Sequence, residues 1–323
     1  MQKFGLLTYG TDNLGDDVQS LAAKQYLPQV DEHLDRDHLS AHASGDPIRV
    51  IMNGWWLHSG TDWPPPERVD PLLLSFHASK HARPLLTQER SLEYLRKHGP
   101  VGCRDQSTLE LFESHDVPCY YSGCLTLTHQ RRDVPKDGSI VFSDPFGHDK
   151  NYRFFQHGDD YYDATLKKLC RTVPENAIHT TNVIETNLSP QARLDLAEEH
   201  LRLFCRAKLV VTCRIHCALP CLAMGTPVLF IQPRRGSDMA FGGLVGFLRS
   251  HLHRSSLQDK RFPGLVELMN ACKIQEVEKG EIDPIDLDAI DSNPKPIDPI
   301  ANPLREACQN FIQSGVRPNP KTD

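Results

Sequence analysis

Short apolar runs recur along this chain, each followed by a loop and then a stretch with helical spacing. That alternation limits the fold more than any other feature. KFGLLTY (3–9) leads through the loop GTDNLGDD into VQSLAAKQYL; IRVIMNG (48–54) ends on Asn53-Gly54; KLVVT (208–212) runs into HCALPCLAMG and then PVLFI (227–231). Apolar runs this short, bounded by turn residues, read as buried strands. Strands alternating with helices imply mostly parallel sheets covered by helices, because a parallel pair needs a crossover connection.

Other segments extend the pattern. SLEYLRKHG (91–99) reads as an amphipathic helix closed by glycine, and VGC (101–103) as a short strand. The loop Arg104-Asp105 then precedes a helix, STLELFESH, with Ser107 or Thr108 as its N-cap. SGCLTLT (122–128) reads as another strand. The turn-rich HQRRDVPKDG (129–138) marks a boundary, after which SIVFSD is a strand and DDYYDATLKKLCRTV a helix. NAIHTTN is strand or loop. SPQARLDLAEEHLRLFCRA opens with a Ser-Pro helix signal and carries an apolar stripe at Leu194, Ala197, Leu201 and Phe204. Residues 280–303, rich in Pro, Asp and Asn, read as extended loop. A chain of 323 residues exceeds one typical core, so the expected units are 1–130, 138–255 and a partly extended tail, 256–323.

A net charge of −6 gives no basic footprint for nucleic acid. No apolar run approaches the roughly 18 residues of a membrane span, though peripheral association stays open. The opening MQKFGLLTYG lacks the apolar length of a signal peptide, and ten cysteines without one suggest reduced thiols. A cytoplasmic setting is expected; the oligomeric state is not legible.

VVTCRIHCALPC (210–221) concentrates three cysteines and a histidine. On a helix rising about 1.5 Å per residue, Cys213 and Cys221 stand roughly 12 Å apart. Two sulfurs on one zinc are at most about 4.6 Å apart. One ion cannot collect all three, so they read as small core residues. Arg214 and His216 remain, at the carboxyl end of a buried strand and the start of a helix, with Pro220 expected in its first turn. Ligands of open parallel sheets bind there, and a helix N-terminus suits an anion. Arginine adds a two-pronged grip on an oxyanion and histidine a proton carrier near neutral pH. A structural ion pair and a packed histidine read the same letters equally well. Arg104-Asp105 sits in a similar place in the first half, where Asp105 either orients Arg104 or favours the following helix.

TDNLGDDVQSLAAKQYL, NGWW (53–56), GCRDQSTLELFESHDVP (102–118), YSGCLTLT (121–128) and AKLVVTCRIHCALPCLAMGTPVLFI (207–231), in this order and spacing, resemble the polysaccharide pyruvyl transferase family over roughly Phe4 to Leu248. The resemblance implies a GT-B-like fold of two Rossmann-like domains facing a cleft. It implies transfer of the carboxyvinyl unit of phosphoenolpyruvate to a sugar, forming a pyruvate ketal and releasing phosphate. Arg104 carries over from the family's Arg-Asp pair, and Arg214-Ile215-His216 from its Arg-Leu-His triplet, with Ile215 replacing leucine.

Two arginines suit a donor bearing a carboxylate and a phosphate, and His216 is the candidate acid or base. Ser122 and Gly123 are expected to border the donor. Asp16 either accepts a proton from the acceptor or caps a helix. Asn13, Asn53, Trp55 and Trp56 are candidates for the acceptor side, the tryptophans reading equally as core. No cofactor beyond the co-substrate is implied. His33, His38, His42, His77 and His81 complete no metal pattern. The alternatives are a nucleotide-sugar glycosyltransferase of the same layout and a catalytically silent glycan- or anion-binding protein.

Overall fold

The computed structural model describes residues 2–57, 62–145, 162–163, 166–167, 170–233, 273–277, 286–290 and 297–319. Two parallel sheets organise them. The first runs β2 (Glu32–Asp35), β1 (Lys3–Thr8), β3 (Ile48–Trp56), β4 (Val69–Ala78), β5 (Val101–Cys103), β6 (Cys119–Tyr121) in spatial order. The second runs β11 (Lys273–Val277), β10 (Val228–Pro233), β9 (Leu209–Thr212), β7 (Ile140–Ser143), β8 (Ile178–Thr180). Every described pairing between these strands is parallel.

Counted from its own first strand, each sheet begins in the order 2-1-3-4-5. The strand order therefore reverses between β1 and β3 in one sheet and between β7 and β9 in the other. Such a reversal splays the flanking loops apart and opens a crevice at the carboxyl ends, where ligands of open α/β sheets bind. This is the α/β architecture of parallel sheets expected from the alternating pattern, consistent with the Rossmann-like fold that the resemblance implies, although no sequence repeat announces the shared order.

The helices are α1 (Leu14–Lys24), α2 (Arg83–Leu86), α3 (Glu89–His98), α4 (Gln106–Glu113), α5 (Pro190–Arg206), α6 (Ile215–Ala223) and α7 (Asp298–Ser314). Their caps follow from side-chain chemistry. Asn13 accepts from the Gly15 N–H and Ser189 from the Ala192 N–H. The cap of α4 is Asp105, which takes the Thr108 N–H; it is neither Ser107 nor Thr108. A carboxylate at that end also meets the positive pole of the helix. In α6 the cap is Arg214 and Pro220 is the sixth residue, past the first turn. Without an N–H, Pro220 cannot close the helical bond to the His216 carbonyl.

Alternation along the second sheet divides its residues between two cores. Ile140, Phe142, Leu209, Val211 and Leu229 pack on one face with Tyr162 and Leu166. Val141, Val210, Val228 and Phe230 face the other way and join a core continuous with the first sheet, through α1, α5 and α6. The expected stripe Leu194, Ala197, Leu201, Phe204 lies wholly in that shared core.

Several expectations give way. The strand at 119–121 stops before SGCLTLT, whose residues Leu125–Thr128 form a 3-10 turn. VDPLLLSFHA, absent from the expected strands, is β4. Residues 298–303 are helical and belong to α7, whose Ile300, Leu304, Cys308 and Phe311 enter the first core. Pro299 sits in the first turn, where its missing donor costs little. Seven of the fifteen residues of DDYYDATLKKLCRTV and most of the 280–297 stretch lie outside the described residues.

Candidate active site

The site is assembled at the carboxyl ends of both sheets. Arg104 follows β5 and is buried, 1% exposed. Its Nη1 donates to Gln19 Oε1 at 2.8 Å and lies 3.5 Å from His216 Nε2. Gln19 in turn donates from Nε2 to Asp16 Oδ1 at 3.2 Å, and Asp16 accepts from Thr11 Oγ1 at 2.7 Å. A polar chain thus runs from β1 through α1 to Arg104 and His216. Asp16 is neither helix cap nor exposed; it reaches Arg104 through Gln19.

Arg104 differs from its peers in partner. Two other arginines are as fully buried. Arg36 pairs with Asp37 at 2.7 Å, and Arg193 pairs two-pronged with Asp17 at 3.1 and 2.8 Å. Arg104 has no carboxylate ion pair among the described residues, and its Nε has no hydrogen-bond partner. Holding a cation away from water without a directly paired carboxylate is costly.

His216 lies against this cation. Burial, then Arg104 and Arg214, hold its imidazole well below the usual histidine range, so it is neutral at rest. Its position depends on Gly15: a Cβ there would stand 2.9 Å from His216 Nδ1 and 3.1 Å from His216 Cβ. Only glycine lets α1 approach this closely.

Arg214 follows β9, and its Nε donates to Asp144 Oδ2 at 3.0 Å. Asp144 follows β7, so this ion pair bridges the reversal point of the second sheet. The aspartate stands in left-handed backbone, φ 43°, which it tolerates better than most residues, and accepts from the Asn182 N–H at 2.9 Å. About a quarter of the Arg214 side chain is exposed. Ile215, half-buried, starts α6 and packs on the core.

Trp55 stands beside the cluster, its ring 4.5 Å from that of His77. Trp56 does not: it is fully buried, stacked 5.4 Å from Phe76, and belongs to the core. Asn53, also buried, donates to the Gln19 carbonyl at 3.0 Å, leaving its Oδ1 without a partner. Asn13 spends its side chain on the helix cap. Ser122 receives the Ser75 N–H and donates to the carbonyl of Cys103, the residue before Arg104, while Gly123 faces Ile300 of α7. Cys213, Cys217 and Cys221 are buried core residues, and burial pushes the Cys217 thiol up to about 11. Among the described residues no three His, Cys, Asp or Glu side chains converge as a metal site.

Sequence reasoning named His77 only among histidines that complete no metal pattern and did not place it near the end of β4, where it hydrogen-bonds Asp105 through Nδ1. It also missed Gln19, which looks like any polar helix residue until its amide is seen joining Asp16 to Arg104.

Parallel sheets with arginines and a neutral histidine gathered at strand ends define the candidate site of an α/β protein. The family model for polysaccharide pyruvyl transferase matches residues 13–234, most of the chain, which therefore belongs to that family. Comparison with curated proteins gave no match. Among the described residues no helix is long and apolar enough to cross a membrane.

Proposed function

We propose that this protein transfers the carboxyvinyl unit of phosphoenolpyruvate to two hydroxyls of a sugar in a polysaccharide or its precursor, giving a pyruvate ketal and phosphate. The observation that carries this reading is Arg104, a buried cation with no carboxylate partner among the described residues, 3.5 Å from a neutral histidine. The donor supplies two anionic groups, matching Arg104 and Arg214. A multiply charged donor between them offsets the field that keeps His216 neutral, so the imidazole gains its proton in the complex. It then protonates the methylene carbon as a hydroxyl oxygen bonds to C2. The second hydroxyl displaces phosphate from C2.

Asp16 acts through Gln19, positioning Arg104. Trp55 offers the acceptor an aromatic face, with Asn53 nearby. The reaction requires no cofactor beyond the co-substrate. A GT-B-like division at 130–138, with the crevice between its halves, and a cytoplasmic setting complete the proposal. The test is phosphate release from phosphoenolpyruvate with a panel of sugar acceptors. Acceptor-dependent release by the wild type, lost in Arg104→Ala and His216→Ala, is expected. Binding of a nucleotide sugar without any binding of phosphoenolpyruvate would replace this reading with glycosyl transfer.

A further inference from the structure

The ketal consumes two hydroxyls, and each must give up a proton. One imidazole delivering a proton to carbon cannot at the same moment receive one from oxygen. The structure holds a second imidazole in the same cluster. His77 ends β4, next to Trp55 in the register of β3 and β4. Its Nδ1 is bonded to Asp105 Oδ2, and both side chains are buried.

Asp105 is heavily committed as an acceptor. It takes the Thr108 N–H at 3.0 Å, the Ser107 hydroxyl at 2.8 Å and the Thr108 hydroxyl at 3.1 Å. These donors offset the cost of burying its charge and, with His77, hold the carboxyl below the usual aspartate range. An ionised carboxylate can only accept, so the shared proton sits on His77 Nδ1 and the lone pair is left on Nε2. No described residue hydrogen-bonds that atom. Burial keeps the ring itself unprotonated, lowering it from the usual range. The backbone ties His77 to the donor side, since the Arg104 N–H donates to the Phe76 carbonyl at 2.9 Å. Arg104 acts electrostatically on both His77 and His216, and His77 acts on His216.

We propose that His77, fixed in one tautomer by Asp105 and flanked by Trp55, is a second catalytic residue that takes the proton from the acceptor hydroxyl. The inference rests on the proposed pyruvyl transfer. In the first half, the hydroxyl proton passes to His77 Nε2 as the oxygen bonds to C2, and protonated His216 gives its proton to C3. In the second half, neutral His216 takes the proton of the second hydroxyl as that oxygen bonds to C2. The C2–O bond to phosphate breaks with its electron pair, and His77 passes its proton to the leaving phosphate. Both imidazoles return to their starting states, and no external acid or oxidant is needed. The acceptor then lies on the Trp55 side and the donor between the arginines.

The experiment compares wild type, His77→Asn, His77→Gly and Asp105→Asn in phosphoenolpyruvate binding by calorimetry and in acceptor-dependent phosphate release. His77→Asn is expected to bind phosphoenolpyruvate within about 2-fold of wild type while kcat falls by about 10²–10⁴-fold, the range for a lost proton-transfer group. Added imidazole should restore part of the activity of His77→Gly, a rescue that a purely structural role would not give. Asp105→Asn should retain binding and lose turnover through the wrong tautomer. If the wild type turns over and His77→Asn keeps its kcat within about 3-fold, His77 has no such role while pyruvyl transfer stands. If His77→Asn loses phosphoenolpyruvate binding along with turnover, its role is in holding the donor or the fold. A wild type that neither binds phosphoenolpyruvate nor releases phosphate sinks both readings together.

Discussion

Arg104 and Arg193 are both wholly buried, yet the molecule treats them in opposite ways. Arg193 sits on α5 with its charge answered twice by Asp17 of α1, and a third donor, Nη1, bonds the Thr11 carbonyl at 2.6 Å. Nothing is left over, and the side chain acts as a fixed clasp between the two halves of the shared core. Arg104 is answered by one neutral amide and keeps an unpartnered Nε. Arg214 stands between them, paired at Nε but partly open to solvent. Burial alone therefore says little about what an arginine is for; the charge of its partner says more.

The comparison breaks if Arg104 turns out to support the fold. Arg104→Ala should lower kcat/KM by about 10³-fold, in line with removal of a well-placed donor to developing charge. It should leave Tm unchanged or raised, because a buried charge with no directly paired carboxylate is removed. Arg214→Ala should lose less, about 10–100-fold, since Asp144 already offsets part of its charge. Steady-state kinetics beside a thermal melt separates the two quantities. Arg193 should behave in reverse. Asp17→Ala strands a buried guanidinium, which typically costs about 3–5 kcal/mol, and chemical denaturation should show it as a lower midpoint.

A subtler test moves His216 without touching its chemistry. Gly15→Ala introduces a carbon 2.9 Å from His216 Nδ1, so the ring must shift. A displacement near 1 Å is expected to cost about 10²-fold in turnover, with phosphoenolpyruvate binding largely kept. A last test reads stability against pH. Burial holds His129 down to about 3 and lowers His77, His200 and His216 from 6.5. An imidazole that charges near pH 6.5 when unfolded but stays neutral in the fold contributes stability that is whole above 6.5. That stability is lost as pH falls. At pH 5 the loss is about 2 kcal/mol for each such group that remains neutral. Melting curves from pH 7 to 5 should fall, and the fall should be shallower in Arg104→Ala, where His216 is released from one of its two cationic neighbours.

What was legible in the sequence was local. Arg104 and Arg214 each follow a short apolar run and precede a helix, and His216 lies in the first turn of one, so their place at strand ends needs no tertiary knowledge. The three cysteines could be dismissed as a zinc site on helical rise alone. Partnership was not legible. That Arg104 would lack a carboxylate and Arg214 possess one depends on which loops meet across a reversal in strand order. His77 stood out only as one of several scattered histidines, because β4 is buried on both faces; its LLLSF run lacks the alternation of a half-exposed strand, and Pro71 argues against it. The tryptophan pair was undecidable for a related reason. Successive residues of a strand point to opposite faces, so one of Trp55 and Trp56 faced the core, but register chose which.

α7 has a consequence for synthesis. Its apolar residues complete the core of a sheet whose strands lie within the first 121 residues, and Arg317 ties the segment to Asp70 and the Pro71 carbonyl. Arg49 reaches back to the Ile312 carbonyl at 3.1 Å. On the ribosome, β1 to β6 emerge long before the helix that covers them, and contacts this distant in sequence form late. The nascent first half must wait with an apolar surface bare, a natural substrate for a chaperone, and a chain cut before residue 298 should aggregate.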